Sequence, residues 1–506
     1  MPERPENIRP DLQELQDRHR LLSDEERPNA IAKRIKSGHL TARQSIELII
    51  DEGSWQEYGS LVIAAQRGRR SEEDLIRRTP TDGLITGTAS INSISIESSQ
   101  HKALIMAYDY TVLAGTQGVY NHMKMDRMLD IALRQKLPII LLAEGGGGRP
   151  GDIDFPIIAG LNIMTFSKYA AMRNVAPRIA VVTGFCFAGN AALAGSSDIV
   201  IATKSSSIGL GGPAMIEGGG LGSYQPEEIG PVSVQSSNGV IDILVVDDTS
   251  AMHIAKKALS YFQGASASFN YDDQKKLREM IPQDRRRVYQ VREIIQTICD
   301  TDSMLELRQG YGRSVVTALV RIQGKCYGLV ANDCRKEAGA ITNTAAKKMT
   351  HFLQLCDRHR LPILSLVDCP GLMVGPTSEA EGTVRSAGEL FNVSATLNVP
   401  IYAIILRRGF GLGAMAMTGG SFHAATSIVS WPSGQFGAMG IEGAVKLGFR
   451  KELAAIEDES ERQQYYDKMV EDMYHRGRAI NMAAHLEIDE VIAPAKTRDW
   501  IIAVSS

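Results

Sequence analysis

Residues 122–151 read HMKMDRMLDIALRQKLPIILLAEGGGGRPG, and residues 346–375 read AKKMTHFLQLCDRHRLPILSLVDCPGLMVG. At a constant offset of 224 residues, Glu144 aligns with Asp368 and the two Leu-Pro pairs align with each other. Both copies place apolar residues at helical spacing, then Leu-Pro, then a short apolar run and a glycine-containing loop. The sequence therefore predicts the same helix, buried strand and loop in each half of the chain.

The duplication continues beyond the quoted stretches and indicates two domains of one fold. Apolar runs at 178–184 and 401–406 each follow a proline and each lead into a glycine-rich turn. Helices that alternate with buried strands are typical of βα units and a mostly parallel sheet. We predict an α/β protein with domains at residues 1–275 and 276–506, divided within the charged, strand-poor stretch 268–290.

The glycine-rich turns after these two strands are the first candidate site. They read GFCFAGNA at residues 184–191 and GFGLGAMA at residues 409–416. A strand-to-helix turn leaves backbone N–H groups without partners at the positive end of the helix, where they can hold an oxyanion. The pairs Ala188-Gly189 and Leu412-Gly413 are predicted to serve in this way. Tight packing of a helix on a strand also selects small residues, and it stands as an equal alternative.

A second group of glycines is predicted to bind substrate. Gly146, Gly147 and Gly148 belong to a run of four glycines, which would let a ligand approach the backbone closely. Arg149 follows the run and would add charge for a phosphate or a carboxylate, although a single arginine is more often a surface residue. The glycine-rich stretch 209–220 would either shape a pocket or form a flexible surface loop.

Composition and motifs exclude several classes of function. A chain of 506 residues with a net charge of −3 is too long for one core and has no footprint for nucleic acid. Its six cysteines form no CxxC pair and lie beside no histidines at zinc spacing, so no metal site is predicted. The sequence has neither a nucleotide-binding glycine motif nor a GxSxG elbow. The absence of long apolar runs and of a leader pattern, together with the unpaired cysteines, predicts a cytoplasmic protein without a membrane span.

Several further motifs resemble those of the acyl-CoA carboxylase β subunits, the carboxyltransferase partners of biotin-dependent carboxylases. HLTAR at residues 39–43 resembles the family's KLTAR, and DYTV at residues 109–112, followed by Gly115, resembles its DFTV. Gly115 is predicted to bind substrate together with the glycines of residues 146–148. VDCPG at residues 367–371 and MGIEGAV at residues 439–445 resemble VDVPG and MGPEGAV in the second half. The resemblance extends from about residue 30 to the C-terminus.

The resemblance implies two crotonase-like domains, each a βαβ superhelix, in a homohexamer. It implies that the amides of Ala188 and Gly189 hold the thioester oxygen of an acyl-CoA enolate. The amides of Leu412 and Gly413 would hold the ureido oxygen of biotin. The carboxyl group would pass from carboxybiotin to the α-carbon of the acyl-CoA. The biotin would be carried by a separate biotin carboxylase and carboxyl carrier subunit, not by this chain.

The chain also departs from the family pattern, and these departures leave the acyl group open. The family's Gly-Gly pair reads Ala188-Gly189, and its Gly-Ala pair reads Leu412-Gly413, so that Leu412 adds bulk on the biotin side. Met415 stands at the position linked to the choice of acyl chain and is predicted to bind substrate. Two alternatives remain: a CoA-ester decarboxylase subunit that runs the half-reaction backwards, and a non-catalytic scaffold subunit.

Overall fold

Each half of the chain folds as its own α/β unit. In the computed structural model, which describes residues 9–98, 100–155 and 159–505, the division falls between Gln263 and Gly264. The part before it is called the first unit and the part after it the second unit. Within the described ranges, no helix combines the length and the apolar character needed to cross a bilayer.

The strands of the first unit are β1 (Gln56–Tyr58), β2 (Leu84–Ser90), β3 (Ile96–Glu97), β4 (Lys102–Tyr108), β5 (Ile139–Leu142), β6 (Gly145–Gly146), β7 (Arg178–Val182), β8 (Phe185–Phe187), β9 (Ile199–Thr203), β10 (Ser207–Gly209) and β11 (Ile243–Val245). Its helices are α1 (Pro10–Arg20), α2 (Pro28–Lys36), α3 (Ala42–Ile49), α4 (Glu72–Arg78), α5 (Val119–Gln135), α6 (Thr165–Ala171), α7 (Ala188–Gly195), α8 (Pro213–Gly218), α9 (Val232–Gln235) and α10 (Asp248–Ser260).

The main sheet of the first unit is parallel from β4 onward. Its spatial order is β1-β2-β4-β5-β7-β9-β11, with antiparallel pairing only among β1, β2 and β4. Strands β5, β7 and β9 are buried along their whole length, as their unbroken apolar runs predict. A small parallel sheet, β10-β8-β6, continues from the carboxyl ends of these strands. In open α/β sheets this edge is where ligands bind.

The strands of the second unit are β12 (Ala265–Ser266), β13 (Leu305–Leu307), β14 (Val315–Ile322), β15 (Lys325–Asn332), β16 (Ile363–Cys369), β17 (Ile401–Phe410), β18 (Ser427–Ser430), β19 (Gln435–Gly437) and β20 (Glu490–Val491). Its helices are α11 (Val291–Ile298), α12 (Asn343–Arg358), α13 (Pro376–Ala380), α14 (Thr383–Ala395), α15 (Gly411–Met417), α16 (Ile441–Gly448), α17 (Arg450–Ala455), α18 (Glu459–Arg476), α19 (Ala479–Ala484) and α20 (Thr497–Val504).

The second unit repeats this topology. Its main sheet has the order β13-β14-β15-β16-β17-β18-β20, antiparallel among the first three strands and parallel from β15 onward. Strand β19 pairs with the end of β17, as β10 pairs with β8. The prediction of an α/β protein with mostly parallel sheets is confirmed.

Helices α5 and α12 show how closely the halves correspond. Both bury the apolar residues of the predicted helical spacing, which are Met125, Met128, Leu129 and Ala132 in α5 and Met349, Phe352, Leu353 and Cys356 in α12. Each also buries a lysine at the offset of 224, Lys124 and Lys348. The ammonium groups donate to backbone oxygens, Lys124 to that of Leu84 at 2.5 Å and Lys348 to that of Val315 at 2.7 Å. A buried polar contact is therefore duplicated along with the apolar face.

Candidate active site

The first predicted pair, Ala188-Gly189, begins helix α7. Phe187 ends strand β8 and caps the helix, and Ala188 has a φ of +51°. A left-handed residue with a Cβ is uncommon and costs about 1–3 kcal/mol, so the surrounding structure must hold this turn in place. The first N–H groups of the helix have no partners within the helix. The turn thus presents backbone donors at the carboxyl edge of the sheet.

Gly189 lies where no side chain fits. An ideal Cβ at this position would be 2.0 Å from Oε1 of Gln117 and 3.1 Å from Cζ of Phe166. Gln117 is buried, and its Nε2 donates to the hydroxyl of Tyr108 at 3.0 Å. Packing against Gln117 therefore favours glycine at position 189, whatever its amide binds.

The glycine run lies directly beside this turn. Gly146, in β6, pairs with Phe187 in β8, and an ideal Cβ on Gly147 would be 3.9 Å from that of Ala188. Gly115 packs against the start of the glycine run, because a Cβ on it would be 2.5 Å from the backbone oxygen of Glu144. Gly115 is therefore a close-approach glycine of the loop, whereas Gly148 faces open space.

A cavity of about 450 Å³ opens above these residues. Its lining includes Tyr110, Gly146, Gly147, Gly148, Phe187, Ala188, Gly212, Pro213 and Met215. Gly212, from the glycine-rich stretch after β10, lies against the ring of Phe187, with 3.3 Å between an ideal Cβ and Cδ2. That stretch therefore shapes a pocket, which was one of its two interpretations. The volume is typical of small-molecule sites.

Arg149 does not present its charge to this cavity. Its guanidinium lies 2.5 Å from Oδ1 of Asp82, 3.4 Å from Oδ1 of Asp152 and 2.9 Å from the backbone oxygen of Thr116. The Arg149 side chain is only 5% exposed. Burial raises the pKa of Asp82, although the charge of Arg149 opposes that rise. This geometry gives Arg149 the task of fixing the glycine loop.

Asn190 is a residue that the sequence interpretation missed. It is fully buried, and its Nδ2 donates to the backbone oxygens of Gly115 at 3.1 Å and Glu144 at 2.8 Å. One side chain thus ties the first turn of α7 to both neighbouring loops. A polar residue inside an otherwise small and apolar turn was the available signal.

The turn of the second unit is built in the same way but in a shifted register. Helix α15 begins at Gly411, whose φ is +56°, after the capping residue Phe410. Phe410 pairs with Gly437 as Phe187 pairs with Gly209. Gly411 is therefore the counterpart of Ala188, and Leu412 that of Gly189. The two predicted pairs are one residue out of step.

Leu412 and Gly413 have very different surroundings. Leu412 is 58% exposed, whereas Gly413 is buried, and an ideal Cβ on Gly413 would be 2.4 Å from the carbonyl carbon of Gly371. The loop after β16 therefore lies on Gly413 as closely as the glycine run lies beside α7. The bulk of Leu412 points away from the packed side of the helix.

A second cavity, of about 670 Å³, adjoins the start of α15. Gly411 and Met415 line it together with four large apolar side chains, Phe422, Phe436, Met473 and Met482. Met415 is thus placed on a cavity wall, and Gly411 brings the helix start to the same wall. Ser421, His423, Arg476 and Glu487 also line this cavity, so an apolar wall stands beside a few polar groups that could orient a ligand.

The chemistry available at both turns is that of backbone donors. Burial raises the pKa of Cys369 to about 12, and it raises that of Cys186 as well, so these neighbouring thiols are poor nucleophiles. The described residues contain no group of three or more histidine, cysteine or acidic residues that could hold a metal ion. Where backbone amides point at a developing oxyanion in a water-excluded site, each can stabilise it by about 3–4 kcal/mol.

Comparisons with known proteins agree over most of the chain. The profile described as "Carboxyl transferase domain" matches residues 33–506. The methylmalonyl-CoA carboxyltransferase 12S subunit of Propionibacterium freudenreichii subsp. shermanii is 28% identical over 482 residues, covering 92% of this chain and 88% of that protein. A propionyl-CoA carboxylase beta chain from Cereibacter sphaeroides is 26% identical over 499 residues, covering 96% and 94%.

Solved structures give the same result. A single-chain, multi-domain long-chain acyl-CoA carboxylase superposes with a TM-score of 0.93 at 50% identity, covering 98% of this chain and 49% of that one. The chain thus spans about half the length of that protein. The transcarboxylase 12S crystal structure, described as a hexamer with methylmalonyl-CoA bound, superposes with a TM-score of 0.84 at 26% identity, covering 98% and 95%. These likenesses confirm the predicted crotonase-like fold.

Proposed function

The chain belongs to the carboxyl transferase domain family, and from this premise we propose how its two units divide the reaction. As the sequence predicted, it is an acyl-CoA carboxyltransferase of the biotin-dependent carboxylases. The comparisons do not favour a CoA-ester decarboxylase subunit or a non-catalytic scaffold. The observation that carries the proposal is the pair of helix turns, each begun by a left-handed residue and each beside its own cavity.

The first unit is proposed to hold the thioester of the acyl-CoA. The amides of Ala188 and Gly189 would donate to the thioester oxygen, which gains negative charge as the α-proton leaves. Gly146, Gly147 and Gly148 line the same cavity without side chains, so they would let the pantetheine arm lie against the backbone. Arg149 and Gly115 would act by fixing this loop.

The second unit is proposed to hold biotin. The ureido oxygen would accept from amides at the start of α15, where Leu412 and Gly413 were predicted to serve. The exposed position of Leu412 is compatible with a ring at this turn, because its side chain leaves the adjoining cavity open. The register of the turn adds the amide of Gly411 as a further donor.

The reaction draws on groups supplied by biotin and on groups supplied by the chain. Biotin supplies, when bound, the activated carboxyl group and a ureido nitrogen basic enough to take the α-proton. The chain's own part is to stabilise the enolate oxygen, to orient the α-carbon and to keep water out of the cavities. Holding two reactants in a reactive geometry can supply about 7–11 kcal/mol of the barrier.

A long acyl chain is the proposed substrate class. The relative at 50% identity is a long-chain acyl-CoA carboxylase, whereas the relatives named for methylmalonyl-CoA and propionyl-CoA are 26–28% identical. The link between Met415 and the choice of acyl chain stays a prediction from the sequence, because Met415 lines the cavity of the second unit, where biotin is proposed to bind.

The partners are also proposals. We propose a homohexamer, as in the 12S transcarboxylase, and a biotin group carried on a separate biotin carboxylase and carboxyl carrier subunit. The long-chain relative is described as a single-chain, multi-domain acyl-CoA carboxylase. Mixing this chain with candidate carrier subunits and measuring the mass of the complex tests both points.

The function is tested by following a labelled carboxyl group. The purified chain should move it from malonyl-CoA, methylmalonyl-CoA or a 2-carboxyacyl-CoA with a long chain to free biotin. We expect the highest kcat/KM for the long-chain donor. Activity that does not depend on biotin, or none with any donor, would contradict the proposal.

A further inference from the structure

A buried carboxylate lies directly beneath the glycine run of the first unit. Glu144 is 6% exposed, and its two carboxylate oxygens accept from the guanidinium of Arg34 at 2.6 and 2.7 Å. A Cβ on Gly184 would be 2.4 Å from Oε1 of Glu144, so the carboxylate also lies against the turn that leads into β8. Arg34 comes from helix α2, far from both loops in sequence. The carboxylate therefore lies between the loop that begins at Gly145 and the turn that leads to Ala188, and Arg34 holds it there.

The second unit has a buried carboxylate at the corresponding place. Asp368 is fully buried and accepts from Arg407 at 2.9 Å and from Arg408 at 2.6 Å. Burial alone would raise the pKa of Asp368, but the charges of Arg408 and Arg407 lower it below its usual value. The backbone N–H of Arg408 also donates to Asp368, at 3.1 Å. The carboxylate therefore joins the end of β16 to the last residues of β17, just before Gly411.

The equivalence of the two contacts is what makes them informative. Glu144 and Asp368 are related by the same offset of 224 that relates the helices, yet their arginines come from different elements. What both halves retain is the carboxylate and its place, between a glycine-containing loop and a helix start. A buried carboxylate needs a charged partner in either half, and here the carboxylate and its place are common to both halves although the arginines differ.

We propose that Glu144 and Asp368 are positioning residues. Glu144 holds the glycine loop after β5 against the turn that leads into α7, and Asp368 holds the loop after β16 against the turn that leads into α15. The inference rests on the proposed function, because it assigns Glu144 to the acyl-CoA side and Asp368 to the biotin side. Neither carboxylate touches substrate. Each acts through the backbone donors whose spacing it sets.

Two substitutions separate the half-sites. Glu144→Gln keeps the shape of the side chain and removes the charge that Arg34 requires. We expect kcat/KM for the carboxyacyl-CoA to fall about 100-fold, the loss that a misplacement of about 1 Å causes, with the KM for free biotin unchanged. Asp368→Asn should raise the KM for free biotin and leave that for the carboxyacyl-CoA unchanged.

The chain offers matched controls in both units. Asp198 is buried against Arg178 at 3.2 Å, and Asp300 against Arg498 at 2.5 Å, at places outside the glycine loops. Asp198→Asn and Asp300→Asn remove the same kind of buried pair and should lower the melting temperature without changing either KM. The inference is wrong if Glu144→Gln lowers only the melting temperature, as Asp198→Asn should, or if either test variant alters the kinetics toward both substrates.

A measurement without turnover separates this inference from the proposed function. Backbone hydrogen exchange should become faster at residues 145–148 and 184–189 in Glu144→Gln but not in Asp198→Asn. If Glu144→Gln does not fold, Arg34→Lys keeps the charge, loses the two-point contact and should give the same change. Unchanged exchange in these loops would overturn the inference even in an active enzyme. An inactive wild type with the expected exchange would contradict only the function.

Discussion

Adding one methyl group at position 189, in the turn that begins α7, should lower both the stability of the protein and its kcat/KM for the carboxyacyl-CoA. In Gly189→Ala the new Cβ would be 2.0 Å from Oε1 of Gln117, so that side chain must move. Moving it breaks the 3.0 Å hydrogen bond to Tyr108, whose hydroxyl lies in the core. The φ of Gly189 is not in the left-handed region, so the backbone itself accepts alanine.

The expected loss of stability follows from these contacts. Overpacking of this kind costs about 1–3 kcal/mol. The buried carboxamide of Gln117 loses its acceptor, which costs about 1–3 kcal/mol more, whereas the Tyr108 hydroxyl keeps its contact with Sδ of Met125 at 3.1 Å. Replacing glycine by alanine in a helix returns about 1 kcal/mol. We therefore expect the free energy of unfolding to fall by about 1–5 kcal/mol and kcat/KM for the carboxyacyl-CoA to fall about 100-fold.

Denaturant unfolding and the carboxyl transfer assay measure the two losses. Gly195→Ala, at the other end of α7, is the control, because a Cβ there has nothing within 4 Å. The double variant Gly189→Ala/Gln117→Ala removes the obstacle and should recover part of the stability, which gives a coupling energy. If Gly189→Ala is as stable and active as Gly195→Ala, the packing argument is refuted.

Two further predictions concern the second unit and a buried lysine. Gly413→Ala would place a Cβ 2.4 Å from the carbonyl carbon of Gly371, so we expect a higher KM for free biotin. The control is Gly448→Ala, which has open space around its Cβ and should be neutral. Equal kinetics of the two variants would contradict the placement of biotin at the start of α15. Burial lowers the pKa of Lys124 from 10.5 to about 8, so the folded protein binds this proton less readily than the unfolded chain. The stability of the wild type relative to Lys124→Met should therefore increase as the pH rises from 8 to 10.5, by at most about 3 kcal/mol, and a flat difference across this window would show that Lys124 keeps its ordinary pKa.

The duplicated fold was predictable because its signal is local and occurs twice. The spacing of Met125, Met128 and Leu129 fixes one face of a helix, and the same spacing recurs at the offset of 224. The apolar runs that follow have the length of a buried strand. Sequence periodicity reports which face of a helix or strand packs against the core.

The side-chain details of the site were less predictable because they depend on contacts distant in sequence. Arg149 is held by Asp82, which lies 67 residues earlier, and nothing near Arg149 indicates that pair. Asn190 reaches back to Gly115, 75 residues earlier. The one-residue shift between Ala188-Gly189 and Leu412-Gly413 follows from strand pairing, which the spacing of small residues does not report.

Some predictions from the sequence stay predictions. These are the roles of the individual amides, the domain limits at 275 and 276, the separate biotin-bearing partner and the cytoplasmic location. The roles of the amides are the most consequential, because they decide which cavity receives the acyl-CoA.

A crystal structure with a non-reactive acyl-CoA analogue and free biotin tests that central claim most directly. The account predicts the thioester oxygen about 3 Å from the backbone nitrogens of Ala188 and Gly189, and the ureido oxygen equally close to amides at the start of α15. Ligands found in the opposite units, or bound away from both helix starts, would contradict it.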